Sequence, residues 1–302
     1  MRSMDWNDLR YFLALRREGT LAGAARALKV RHSTVGRRIN ELEGALGVCL
    51  FTRAQDGFLL TEAGAEIVEM AEEAERIFAA VERRVAGKDD RLEGVVRLAV
   101  SEAFSGFVVR RLADLHASHP GLIVEILSSN VRVDLERGEA DLALRIAETS
   151  QPDLVCRHIG DANWSLYASE GYLKRMGRVA TPSDLSGHDV IAFDETMAGV
   201  PGAQWINEHA NGANVILRGN SIVSVLNACL IGMGLAVLPC FLADAEANLR
   251  RLTPHVLGAR EIWLVFHPEI GRIARVRRVI DFVVEIIARD APLLLGEKPS
   301  QA

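Results

Sequence analysis

Residues 19–47 read GTLAGAARALKVRHSTVGRRINELEGALG, and their reading decides the fold of the amino-terminal part. Leu21, Ala24, Ala25 and Leu28 fall at i, i+3, i+4 and i+7, the apolar stripe of one short helix. Val35, Ile39, Leu42 and Leu46 form the stripe of a second, and Gly47 stands where a left-handed residue stops it. Two such helices joined by a tight connection make a helix-turn-helix. At about 100° per residue, the outer face of the second carries Ser33, Arg37 and Asn40, flanked by Thr34 and Gly36. That set suits a DNA major groove, where Arg pairs with guanine edges and Asn with adenine. A solvated helix of an ordinary bundle is the competing reading of this stretch alone. Arg38 stays among the candidates, but its angle lies nearer the buried edge and favours a backbone or packing role.

The flanks support the same unit. Asp5 caps a first helix with Asp8 in its opening turn, Trp6, Leu9, Phe12 and Leu13 form its buried side, and Gly19 ends it. Thr20 caps the second helix, while the third starts at either Arg31 or Ser33. After Gly47, the segments VCLFTR, AQDG and FLLT describe a short β-ribbon about an Asp56-Gly57 turn, a wing carrying Arg53 toward phosphate or groove. Thr61 caps a long helix from Glu62 to about Ala86. Its stripe of Ala63, Ile67, Met70, Ala74, Ile77, Val81 and Val85 reads as a dimerisation seam. A dimer would present two recognition helices to two half-sites. The polar run GKDDRLEG at 87–94 is the clearest boundary. Three parts are therefore expected: residues 1–61, a linker helix 62–91 and a larger domain 92–302.

Charge is distributed accordingly. The 302 residues carry a formal charge of −5, yet residues 1–60 hold ten Lys+Arg against six Asp+Glu, a basic head on an acidic body. Four scattered cysteines without a CxxC pair fit a reducing cytoplasm, and no apolar signal region opens the chain. Residues 219–243 lack charge, but Gly232, Gly234 and Pro239 divide them, so helix, turn and strand are expected rather than a membrane span.

Beyond Gly94 strands and helices alternate. Expected are a strand at 95–100, a helix at 107–119, strands at 123–127 and 140–145 with a short helix at 131–137 between them, and thus a parallel βαβαβ run. A second set begins near Trp164 with WSLYA, continues with a helix at 170–176 and strands at 190–193 and 215–218, then a helix from Ser221 and a strand at 235–238. A helix after Pro239, a strand at 261–266 and a helix at 273–289 close the chain. Two α/β halves would enclose a cleft, divided as about 92–163 with 268–302, and about 164–267. Ligands of such sheets sit at the carboxyl ends of strands, near helix starts. That rule selects Ser101, Glu102, Ser128, Ser129, Asn130, Arg145, Asn220 and Ser221, and their chemistry favours a small anion, most simply a carboxylate. Ordinary capping competes for each serine, and an ion pair to Glu148 or Asp141 competes for Arg145. There is no GxSxG elbow, Walker loop, HExxH or dinucleotide fingerprint, so neither an enzyme nor a cofactor or metal is expected.

With these parts in order, the chain resembles the LysR-type transcriptional regulators over nearly its whole length. The likeness is carried by LRYFLAL, GTLAGAARALKV, STVGRRINELEGALGVCLFTR and LTEAG, then by HPGLIVEI, GEADLALR, LYAS, DLSGHDVI and GMGLAVLP. The resemblance implies an α+β multidomain protein: a winged helix-turn-helix, a dimerising linker helix and an effector domain like periplasmic binding proteins. It further implies double-stranded promoter DNA and a small-molecule effector as partners, with homodimers assembled into tetramers. Family pocket positions fall on Ser101 and on Ser129 or Asn130, with Asn220 and Ser221 beside them. Arg31-His32-Ser33 replace the usual Ser-Gln-Pro at the start of the recognition helix, and Gly36 replaces a serine, so base preference and phosphate contacts are this chain's own.

Overall fold

The computed structural model describes residues 4–86, 91–129, 133–146, 152–177, 179, 184–253 and 255–297. Two compact units result, Met1–Arg83 and Arg84–Ala302.

In the first unit, α1 (Trp6–Glu18), α2 (Leu21–Ala27) and α3 (His32–Leu46) pack around Phe12, Leu13, Ala24, Val35, Ile39 and Leu42. Asp5 caps α1 by accepting from the Asn7 N–H at 3.0 Å, Thr20 caps α2 by accepting from Gly23, and Gly19 and Gly47 terminate α1 and α3 with positive φ. Arg31 is the N-cap of α3 and makes no side-chain capping bond, which resolves the two starts in favour of the earlier one. β1 (Phe51–Ala54) and β2 (Gly57–Leu60) form the expected antiparallel wing. Gly57 sits at φ 146°, where a Cβ would collide with the Gly19 carbonyl oxygen, and that same oxygen accepts the Phe58 N–H at 2.8 Å. The wing is thereby pinned to the α1–α2 corner.

α4 (Glu62–Ala86) does not present one uniform seam. Ile67, Ala71 and Ala74 pack inward on the helix-turn-helix core; Arg16–Glu72 and Arg17–Glu75 ion pairs and Trp6–Phe78 ring stacking clamp the same side. Met70, Ile77 and Val81 lie exposed on another side. Spacings of three and four could not separate these faces, because both are apolar. Val85's side chain and residues 87–90 lie outside the described residues.

The second unit is built on a seven-stranded sheet. Its order is β10 (Leu249–Arg251), β6 (Val155–Ser169), β11 (Gly258–Phe266), β5 (Leu142–Arg145), β3 (Gly94–Val100) and β4 (Leu122–Ser128), with β9 (Ala236–Pro239) also paired to β6. β4, β3 and β5 are parallel as expected. β6 and β11 are antiparallel, and together they run from one half to the other. The expected strand at Trp164 is thus only the end of a 15-residue strand. Its first half, VCRHIGDAN, is polar and partly solvated, so no hydrophobic pattern announced it. The helix expected at 107–119 is two helices, α5 (Glu102–Val109) and α6 (Leu112–Ser118). The chain turns between them, where Arg111 lies over the Phe107 ring and bonds Asp290 at 2.5 Å. Instead of a helix at 131–137, the described residues Leu135–Gly138 form a turn, tied by Asp134 accepting from the Glu136 and Arg137 N–H groups; Val131 and Arg132 lie outside the described residues.

The other half contains α7 (Glu170–Met176), the parallel pair β7 (Asp189–Phe193) and β8 (Asn214–Gly219), α8 (Pro201–His209), α9 (Ile222–Leu230) and the one-turn α10 (Cys240–Ala243). α11 (Ala274–Arg289) covers the sheet with Val276, Val279, Ile280, Val283 and Ile287, and α12 (Ala291–Leu294) follows it. α8 was not anticipated: Pro201 opens it at a position that also suits a turn. Among the described residues no helix is long and apolar enough to cross a membrane.

Candidate DNA-binding face and effector cleft

The face of α3 is made by what its core stripe leaves over. Val35, Ile39 and Leu42 are buried, which turns Arg31, His32, Ser33, Arg37 and Asn40 outward, with Thr34 and Gly36 half-buried between. Arg37 is the most projecting of the two central arginines, its side chain 64% exposed against 26% for Arg38. Arg38 is engaged inside the unit: its guanidinium donates to Asp8 at 3.1 Å and lies 5.9 Å from the Tyr11 ring. Burial pushes the Asp8 carboxyl up from its ordinary pKa, and the Arg38 charge pulls against that rise. Gly36 has ample room, since a Cβ there would meet only Leu21 Cδ1 at 3.8 Å. The fold of the chain therefore gives no reason for this glycine.

Beside the start of α3, a groove is lined by Ala22, Ala25, Arg26, Lys29, Val30, Arg31, His32 and Ser33. Arg26 and Lys29 were overlooked in the sequence, although two basic residues at the end of α2 and in the turn before α3 were the available signal. Lys29 holds a left-handed backbone, φ 54°, in the turn that sets α2 against α3. Arg53 is exposed on β1. Glu43, also unanticipated, aims the wing: its Oε1 accepts from the Leu50 N–H at 2.6 Å and the Phe51 N–H at 3.2 Å.

In the second unit, strand register aligns the candidate pocket residues. Val100 pairs with Ser128 on one side and Leu144 on the other, so Ser101, Ser128, Ser129 and Arg145 lie along one edge of the sheet. Ser101 is the N-cap of α5, and its buried Oγ has no hydrogen-bond partner among the described residues. Ser128 is exposed, while the Ser129 N–H donates to the Val100 carbonyl at 3.1 Å. Ser221, the N-cap of α9, accepts from the Ser224 N–H and donates to Glu102 Oε2 at 2.7 Å. That bond brings the starts of α5 and α9 together across 119 residues of chain. Asn220 is exposed next to it. Arg145 donates to the Val133 carbonyl at 2.9 Å, and the competing Asp141 instead accepts the Arg97 N–H. Asn130 and Glu148 lie outside the described residues. The arrangement offers hydroxyl groups and helix-start N–H groups at one edge, chemistry suited to binding.

A winged helix-turn-helix followed by a two-halved α/β unit defines a DNA-binding protein with a ligand domain. The chain matches the bacterial regulatory helix-turn-helix protein, lysR family, over residues 6–65, and the LysR substrate binding domain over residues 89–288. It belongs to the LysR family and is a LysR-type transcriptional regulator, with a DNA-binding and an effector-binding domain. The Mau operon transcriptional activator of Paracoccus denitrificans is 29% identical over 291 residues, 94% of this chain and 97% of that one. The full-length Vibrio cholerae virulence activator AphB superposes with a TM-score of 0.65 at 20% identity, covering 93% and 99% of the two chains. CrgA, a LysR-type regulator from Neisseria meningitidis, gives a TM-score of 0.55 at 25% identity, covering 94% and 99%.

Proposed function

We propose that the protein reads promoter DNA with α3 laid in the major groove, Arg37 on a base edge, and Ser33, Thr34, His32 and Asn40 beside it. Arg31 and the wing's Arg53 approach phosphates, Gly36 permits close contact, and Arg38 supports the helix from behind. The carrying observation is the outward projection of Arg37 from a helix whose opposite side buries Val35, Ile39 and Leu42. Met70, Ile77 and Val81, exposed on α4 at spacings of seven and four, favour pairing of that helix with a second copy, and tetramers would be pairs of such dimers. This assigns residues 1–61 to DNA, 62–91 to pairing and 92–302 to sensing, in a cytoplasmic protein.

The effector is a small anion, most simply a carboxylate, held between Ser101, Ser128, Ser129 and Arg145 on one half and Asn220 and Ser221 on the other. Glu102 supports this reading, because its carboxylate already takes the Ser221 hydroxyl at the start of α9. An incoming carboxylate would exchange with it.

The test is fluorescence anisotropy on a duplex that the wild-type protein selects from a random-sequence library. Arg37→Ala is expected to weaken binding to the selected duplex roughly tenfold to a hundredfold and to relax base preference, with an unchanged thermal midpoint. Unchanged affinity and base preference would remove Arg37 from the interface.

A further inference from the structure

Glu41 lies one turn beyond Arg37 on α3, on the face that must meet a polyanion. Its Oε1 is 3.5 Å from Arg37 Nη1 and its Oε2 is 3.5 Å from Arg38 Nη1. Arg38 in turn is held by Asp8 at 3.1 Å and Asp5 at 3.5 Å, and Asp8 is buried in α1. A continuous chain of charge thus runs from the core through Asp8, Arg38 and Glu41 to the projecting Arg37. Glu43, two residues on, shows what a structural acid does in this helix: it accepts two backbone N–H groups of the wing. Glu41 accepts from no backbone group among the described residues; its partners are the two arginines. Exposed i, i+4 pairs contribute little to fold stability, so the fold does not account for an acid here.

We propose that Glu41 is a specificity-determining positioning residue of the DNA face. This rests on α3 being the reading helix. Phosphates are present on every duplex, and a free Arg37 would bind them without regard to sequence. With Glu41 at 3.5 Å, one side of the Arg37 guanidinium faces an opposite charge while the side chain as a whole stays exposed. Meeting a base edge keeps that pair intact, and a guanidinium held in place loses less freedom on binding. Swinging to a phosphate breaks the pair and leaves a carboxylate facing the polyanion. The acid therefore favours base contact and penalises phosphate contact, and its orientation is set by Arg38 rather than by Arg37 alone.

Full-length wild type, Glu41→Gln and Glu41→Asp are compared by anisotropy on two duplexes, the one selected by the wild type and a scrambled version of equal composition. Glu41→Gln should bind the scrambled duplex roughly fivefold tighter, with a salt slope steeper by about one, because a repelling charge is gone. It should bind the selected duplex no tighter, so discrimination falls by roughly fivefold or more. Glu41→Asp keeps the charge but lacks the reach, so it should stay weak on the scrambled duplex while losing affinity for the selected one. Equal thermal midpoints confirm that the variants fold. Parallel shifts on both duplexes, or no shift on either, overturn the role of Glu41 in a protein that discriminates. A wild type that does not discriminate at all overturns the DNA reading and this inference together.

Discussion

The DNA face and the cleft edge store polar groups in opposite ways. On α3, Arg37 and Asn40 project into solvent from a three-helix frame, and Arg37 has only the exposed Glu41 beside it, at 3.5 Å. At the cleft, Glu102, Ser221, Ser129 and Arg145 are already bonded within the protein. A surface that will meet phosphates can keep its donors exposed, because hydration satisfies them until DNA arrives. A buried polar group left unpaired costs about 1–3 kcal/mol, so most groups at this edge bind one another first, and the Ser101 Oγ, buried without a partner among the described residues, is the exception. On the proposed reading, the first site docks and the second exchanges partners. Conformational response belongs naturally to the second.

Three substitutions break or sharpen this contrast. Gly57→Val should have the largest effect. It imposes a side chain at φ 146° and against the Gly19 carbonyl, so the first unit should lose roughly 3 kcal/mol or more. Chemical denaturation would record the loss, and an unchanged midpoint would mean that the frame behind the DNA face is pliable. Ser101→Leu comes next and addresses the cleft. In a thermal-shift screen of small carboxylates, wild type should gain roughly 2–3 kcal/mol at a hundredfold excess over Kd while the variant gains none, its DNA affinity unchanged. Equal shifts in both proteins would place the ligand elsewhere. Gly36→Ala has the smallest effect and the sharpest reading. A methyl group meets only Leu21 at 3.8 Å, so α3 should gain about 1 kcal/mol in stability. Weaker binding to the selected duplex by the same, more stable protein would mean that the glycine serves close approach to DNA; undiminished binding would mean that it does not.

The amino-terminal unit was nearly legible residue by residue. Its caps at Asp5, Thr20 and Thr61, its terminating glycines and its Asp56-Gly57 turn are local signals acting within a few residues. The second unit was legible only where hydrophobic periodicity was strong. The strand at 94–100 and the helix at 274–289 bury apolar residues at their expected spacing, and the strand at 122–128 turns Leu122, Val124 and Ile126 toward the core. The first half of β6 is polar and is held by its pairing with β11, about a hundred residues away, which no local pattern reveals. The break between α5 and α6 has the same origin, for Arg111 turns there toward Asp290, 179 residues distant.

Sequence alone determined the helix-turn-helix, the wing, the alternation of strands and helices and the outward angle of Arg37, because these follow from short-range periodicity and capping chemistry. Tertiary structure alone decided what holds Arg38, a carboxylate thirty residues earlier in α1. It also divided α4 into a side packed on its own unit and a side left bare, and it joined Glu102 to Ser221. Each of these outcomes depends on groups distant in the chain becoming neighbours, and only a folded core fixes which of them meet.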